Sequence, residues 1–421
     1  MKTIFLSFRL FIRKPFANAV LSVELALVTL IVVVVGNIYQ YSQTCINVVQ
    51  NSSSRVMYCS NPEPFAKDKR AKFVDSLKAV QKKYSYVKGF SDIDYSVFCK
   101  DKEVFENPEN DNGRTYADSP DIVVYDDETI SSLQLPVSEG ECLSTKKVNG
   151  RVPCVLGGIN AKKYYHVGDT ISGYTLADRE STKAIKTPDF YVAGILALPQ
   201  QSFDTGISDN GENTMKISEL FEDMTNCELF MVVPGSLFNG MRQQSFGGMG
   251  AFVYLNRDCT QTQIDAVRNE LHRGYTQMDT EMIHAERKDI NQTLSIMMPF
   301  LIMLFLVIFL GLIAVCMLTA MKNMQTFKIY YLTGCPRRKI LLIMLCYVLY
   351  YFVIAGVLFT VLLQCGKHMV HQLRMLEAYF IFQPGNLISI GIVCAVVLVS
   401  SLIIPFVIIK KNSLSDLLRK D

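Results

Sequence analysis

No tryptophan occurs in the 421 residues, and histidine occurs only five times. No G-x-x-x-x-G-K-[ST] segment is present, so the chain cannot cradle ATP phosphates by itself. H-E-x-x-H and G-x-S-x-G are absent too, and no other catalytic signature replaces them, so the chain is not expected to be an enzyme. Twelve cysteines include no C-x-x-C pair, which argues against a zinc ribbon. One sign of charge is also scarce where a nucleic-acid binder would need it. Residues 41–290 carry 27 Lys+Arg against 35 Asp+Glu, a net of −8, so they offer no basic face.

What is abundant is apolar sequence, and it is segregated. Half the residues are hydrophobic. They concentrate in four runs, at about 17–39, 294–321, 340–364 and 387–409, whereas 41–290 has ordinary soluble composition. A hydrocarbon core of about 30 Å needs about 20 helical residues, so each run is long enough to span it. The second exceeds that length, and its outer end is expected to continue beyond the membrane as a stalk. The first run has no A-x-A-like site after it, so an uncleaved anchor is expected.

Lys and Arg set the orientation. Lys2, Arg9, Arg13 and Lys14 precede the first run; Lys322, Lys328, Arg337, Arg338 and Lys339 lie between the second and third; Lys410, Lys411, Arg419 and Lys420 follow the fourth. Both termini and the 322–339 loop are therefore expected in the cytoplasm, with 41–290 and 365–386 outside. The expected location is a cell (inner) membrane.

The expected fold class is a membrane protein with four transmembrane α-helices plus an α/β extracytoplasmic domain containing an inserted, mostly-β subdomain. Residues 1–15 form an amphipathic helix with Ile4, Phe5, Phe8, Phe11 and Ile12 on one face, lying on the inner leaflet and ended by Pro15. In the outer domain, "AKFVDSLKAVQKKY" (71–84) and "TQIDAVRNELHRG" (262–274) read as helices, the second stopped by Gly274. "ELFMVV" (228–233) and "AFVYL" (251–255) read as strands. The α/β part should draw on about 45–130 and 220–285, with the β-rich insert at about 130–220. "GISDNGENT" (206–214) is a polar loop.

Several residues invite functional readings that a plainer one outweighs. Glu24, inside the first run, is expected to snorkel or pair with a neighbouring span. Cys365, His368 and His371 drift around a helix face and read as a polar collar, not a metal site. Asp126, Asp127 and Glu128 are adjacent, so their side chains diverge, unlike a calcium loop. No metal site is expected. Cys142 and Cys154 flank an Asn-Gly turn in "TKKVNGR" and are candidates for a disulfide; free, half-buried thiols are the alternative.

The segment "KNMQTFKIYYLTGCPRRKI" is the main cytoplasmic surface between spans. Gly334-Cys335-Pro336 should stop one helix and start another, because Gly frees φ and Pro suits a first helical turn. Arg337, Arg338 and Lys339 would then be displayed to acidic residues or lipid phosphates. Small residues at Gly311, Gly356 and Gly391 suit close helix packing.

These features together resemble the FtsX-like, MacB-type permeases of ABC transporters. "LTGCPRRKI" is similar to that family's coupling-helix pattern, with Gly334, Arg337, Arg338 and Ile340 on its positions, and Gly334, Pro336, Arg337, Arg338, Lys339 and Ile340 are the candidate ATPase-coupling residues. "VLGGINAKKYYHVGDTISGY" (155–174), "FYVAGIL" (190–196) and "NSLSDLLRK" (412–420) resemble further segments of the family. Departures fall at Gln325, Thr326, Tyr331 and Tyr347, where the family often carries charge. The resemblance implies a permease without its own ATPase motif, worked by a separate cytoplasmic ABC ATPase. It also implies a second permease, as homodimer or heterodimer, and a lipid bilayer, with no nucleic acid. No cofactor binds directly; ATP acts through the partner ATPase. The implied mechanism is mechanotransmission, with export or expulsion of a peptide, lipid-linked molecule or antibiotic. The alternative is a transmembrane signal relay controlling an extracellular partner such as a cell-wall hydrolase.

Overall fold

The computed structural model describes residues 2–13, 15–61, 67–91, 96–100, 121–172, 175–177, 184–186, 188–203, 214–224, 227, 229–238, 250–272, 275–322, 329, 334, 336–373, 377–380, 382–383 and 385–411. The polar loop 206–213, most of the 322–339 segment and the tail 412–421 lie outside these residues.

The elements, in chain order, begin with α1 (Lys2–Ile12), α2 (Pro15–Gln50), β1 (Arg55–Ser60), α3 (Lys67–Lys83), β2 (Val87–Ser91), β3 (Ser96–Lys100) and β4 (Asp121–Tyr125). There follow α4 (Asp127–Ser132), β5 (Val137–Gly140), β6 (Val152–Gly157), α5 (Ala161–Tyr164), β7 (Thr170–Ile171), β8 (Thr175–Ala177), β9 (Ala184–Lys186) and β10 (Phe190–Leu196). Next come β11 (Gln201–Phe203), β12 (Phe221–Asp223), β13 (Phe230–Pro234), β14 (Gly250–Leu255), α6 (Gln261–Glu270) and β15 (Thr276–Met278). The chain closes with α7 (Asp279–Lys322), α8 (Arg337–Leu373) and α9 (Asn386–Lys411). Two compact units result: a helical unit, Met1–Ile38 with Asn291–Asp421, and an α/β unit, Tyr39–Ile290.

In the helical unit, α2, α7 and α8 are each long and apolar enough to cross a membrane. The unbroken α7 has 44 residues, about 66 Å at 1.5 Å per residue, which exceeds a hydrocarbon core. Helix α9 is apolar over Asn386–Val399. Pro15 opens α2 at the first helical position, where its missing N–H costs nothing. The face expected of α1 is divided: Leu10 and Phe11 are buried, while Phe5, Phe8 and Ile12 are exposed. Phe11 packs among three rings of α8, Tyr347, Tyr350 and Tyr351, the last at 5.1 Å, whereas Phe8, which meets Tyr350 at 5.5 Å, stays exposed. Gly311 does meet a neighbouring helix, its Cβ position lying 3.0 Å from Leu21, but Gly356 and Gly391 face open space. Glu24 is half-buried on α2. Residues 365–373, expected in a loop, continue α8.

The α/β unit contains a four-stranded sheet, β15-β1-β14-β2, and a nine-stranded sheet, β5-β10-β6-β13-β4-β3-β8-β9 with β7 on β10. The small sheet is antiparallel. Phe73, Leu77 and Val80 of α3 and Ile264 and Val267 of α6 bury against its Met57, Cys59 and Val253. Thr260 caps α6 in a capping box with Gln263, satisfying two otherwise unpaired N–H groups. That helix ends before Gly274, since His272 itself takes the left-handed conformation at φ +62°.

The large sheet contains parallel pairs, β10 with β6 and β13 with β4. Such strands are covered on both faces and read as continuous apolar runs, as "VPCVLG" and "FMVVP" do. Alternate residues Val152, Cys154 and Leu156, with Met231 and Val233, and Ile122 and Val124, form one core face. Its strands come from 96 to 234, a wider span than the β-rich insert expected at 130–220.

Candidate functional site: the start of α8 and the grip on α7

Gly334 has φ +86°, in the left-handed region that favours glycine. Pro336 follows, and its carbonyl accepts from the Lys339 N–H at 2.9 Å, so α8 begins with a tight turn. Arg338 and Lys339 are exposed, while Ile340 is buried. The Arg337 side chain and Cys335 lie outside the described residues. This turn brings Gly334, Pro336, Arg338, Lys339 and Ile340 to the start of one long helix.

A buried polar cluster follows about three to four turns into α8. Tyr347 Oη donates to Asn18 Oδ1 at 3.1 Å, and Tyr351 Oη donates to the same oxygen at 2.6 Å. The two hydroxyls lie 3.0 Å apart. The Asn18 amide donates to the Phe11 carbonyl, one of the last α1 carbonyls that no helical N–H can reach. One asparagine thus fastens α1, α2 and α8 together. Apolar surroundings give such hydrogen bonds no competing water, so they select a single helix register. In the sequence Tyr347 stands out only as a missing charge, and Asn18 and Tyr351 do not stand out. The i, i+4 tyrosine pair on an apolar helix was the available signal.

A second group of side chains holds the first turns of α7 inside the α/β unit. Asp279 Oδ1 lies 3.3 Å from Arg55 Nη2, and Asp279 Oδ2 accepts from the Val56 N–H of β1. Glu281 pairs with Arg268 Nη1 at 2.7 Å. Glu286 is almost fully buried and accepts from the Ser218 hydroxyl at 2.6 Å and its N–H at 3.1 Å. Asp289 meets Lys216 Nζ at 3.1 Å. Four acids along one helix are therefore held from three parts of the unit: Arg55 and the start of β1, Arg268 on α6, and the Lys216–Ser218 segment. The acids are local to one helix in the sequence, but the donors come from as far away as Arg55.

The cysteine candidates lie apart in the topology. Cys154 sits on β6 and Cys142 follows β5, and both thiols are free. The Asn149-Gly150 turn is present, with φ +51° and +78°, and closes the Val148–Arg151 bridge. The strands beyond it do not pair, because β10 lies between β5 and β6. Burial pushes the Cys154 thiol far above its ordinary range and Cys59 up to about 12, so both are held as unreactive thiols. Among the described residues no cluster of His, Cys, Asp or Glu could hold a metal ion. His368 lies on α8, and the His371 side chain is outside the described residues.

A protein with membrane-length apolar helices and a mixed α/β unit is the class that these observations define. No protein-family model and no curated protein matches the chain. Among solved structures, the periplasmic region of MacB from Actinobacillus actinomycetemcomitans is similar at 14% identity and a TM-score of 0.27, covering 55% of this chain and 90% of that one. Similarity at that level assigns no activity to this chain.

Proposed function

We propose that this chain is the permease subunit of an ABC-type transporter whose ATPase is a separate cytoplasmic polypeptide. The order of the parts carries the reading. An apolar helix precedes a large folded unit, and further apolar helices follow, with a tight basic turn at Gly334–Lys339 between α7 and α8. In this reading α9 is a fourth span and both termini are cytoplasmic. The chain has no catalytic role of its own.

The work is mechanotransmission. Closure of the ATPase on ATP shifts the start of α8, and the Asn18–Tyr347–Tyr351 fastening makes α1 and α2 move with it. Helix α7 carries the displacement, because an unbroken helix resists compression and its first turns are held by the four acid contacts. Such coupling is a two-state equilibrium biased from two distant places. The transported molecule is a peptide, a lipid-linked compound or an antibiotic, and a second permease completes the assembly.

Purification of the tagged full chain from its native membranes, followed by an ATP-hydrolysis assay, tests the proposal. An ATPase should co-purify. Gly334→Pro should release it, because Pro holds φ near −65° and cannot adopt +86°. Absence of an ATPase from the wild-type preparation overturns the reading, as does full retention by Gly334→Pro.

A further inference from the structure

Helices α8 and α9 leave a groove of about 560 Å³ between them. Leu341, Leu342 and Leu345 form one wall, and Leu398, Val399 and Ile403 form the other. Among the described residues Arg338 is the one polar side chain in the lining. The described lining is thus amphiphilic in an ordered way, with the Arg338 cation at one end and aliphatic side chains thereafter. From Arg338 to Leu345 the helix rises about 10 Å, enough to seat several methylenes of an extended chain.

We infer that this groove binds an anionic phospholipid, with its phosphate on Arg338 and an acyl chain between α8 and α9. Three observations select that occupant. The walls belong to helices rich in exposed aliphatic residues, with Leu342 46% and Val399 57% exposed, so a hydrocarbon solvent reaches the groove. Among the described residues no carboxylate forms an ion pair with Arg338, and guanidinium is suited to bidentate phosphate recognition. The helix start adds a favourable dipole for an anion. A second copy of this chain seated there across a two-fold axis would instead bring two sets of Arg338 and Lys339 together. The inference stands without any ATPase partner; it gives Arg338 a lipid ligand, in contrast to the protein contact that the family resemblance implies.

Native mass spectrometry of the full chain in detergent, titrated with phosphatidylglycerol or with phosphatidylcholine of the same chains, is the test. Wild-type protein should prefer phosphatidylglycerol by about fivefold, the contribution of one cation near a charged surface. Arg338→Gln should bring that ratio close to one, whereas Lys339→Gln, outside the groove lining, should keep most of it. Leu342→Trp, which fills the groove, should weaken both lipids. A wild-type ratio near one overturns the inference, as does an unchanged ratio in Arg338→Gln. An adduct equally strong with inorganic phosphate would overturn it too, since the apolar walls would then have no part. So would efficient Leu342→Cys cross-linking between two copies, which would show the groove covered by protein. Folding of each variant is checked by its thermal transition and monodispersity.

Discussion

The two units solve opposite solvent problems with similar side chains. In the α/β unit Phe190, Phe230 and Phe252 are essentially inaccessible, sealed between strands and helices. In the helical unit Phe300, Val353 and Ile388 stand 62%, 64% and 70% exposed on long helices. Water would drive such residues inward, so their outward placement fits a hydrocarbon surround. The buried polar groups are opposed as well. The α/β unit buries Glu286 against a hydroxyl and an N–H, whereas the helical unit buries neutral Asn18, Tyr347 and Tyr351. Polarity inside a bilayer has to be uncharged and fully bonded to be cheap.

The largest test of that contrast is a pair of identical substitutions. Phe252→Ala should cost the α/β unit about 3–5 kcal/mol, because it opens a cavity among Tyr58, Phe203 and Tyr254. Phe300→Ala should change stability by under about 0.5 kcal/mol. Urea unfolding of the two variants reads the difference, and equal losses would break the contrast.

A charge placed on each surface comes next. Val353→Asp lies near the middle of α8 and should raise the cost of membrane insertion by about 2.5–3.5 kcal/mol in a glycosylation-mapping assay. Ile159→Asp, with 57% exposure in the α/β unit, should be nearly neutral.

Polar anchors should rank in the same order. Glu286→Ala leaves the Ser218 donors without their acceptor and should cost about 2–3 kcal/mol. Tyr351→Phe should cost about 0.6–1.7 kcal/mol, the range for hydrogen bonds between membrane helices. A larger loss for Tyr351→Phe would mean that the fastening at Asn18 dominates the helical unit.

The smallest effect is a surface pair. Hydrogen bonding to Lys83 and Tyr84 lowers the Glu270 pKa, and the same contact with Glu270 raises that of Lys83. Glu270 therefore adds stability above the ordinary glutamate range, which is lost as pH falls through its depressed value. Lys83 adds stability below the ordinary lysine range, lost as pH rises through its raised value. Both groups are exposed, so Lys83→Gln should alter only these edges of a pH–stability curve, and slightly.

Features set by neighbours along the chain were legible in the sequence. Long apolar runs marked α2, α7 and α8, and Asn149-Gly150 marked its turn. Features set by distant residues were not. Nothing in "CLSTKKVNGRVPC" says that β10 will insert between β5 and β6, separating Cys142, just after β5, from Cys154 on β6. The hydrogen bond from Tyr351 to Asn18 spans 333 residues, and either residue alone looks like an ordinary interruption of an apolar run. The α7 grip was half legible, since its acids are local while Arg55 and Ser218 are not.

The account rests on the α/β unit and the start of α8 lying in water on opposite sides of a bilayer. Labelling of intact cells with a membrane-impermeant maleimide measures this directly. The two probes are Lys147→Cys and Lys339→Cys, both exposed, with accessible native cysteines replaced by serine. Lys147→Cys should react in intact cells and Lys339→Cys only after permeabilisation; reaction of both before permeabilisation, or of Lys147→Cys only afterwards, would contradict the account.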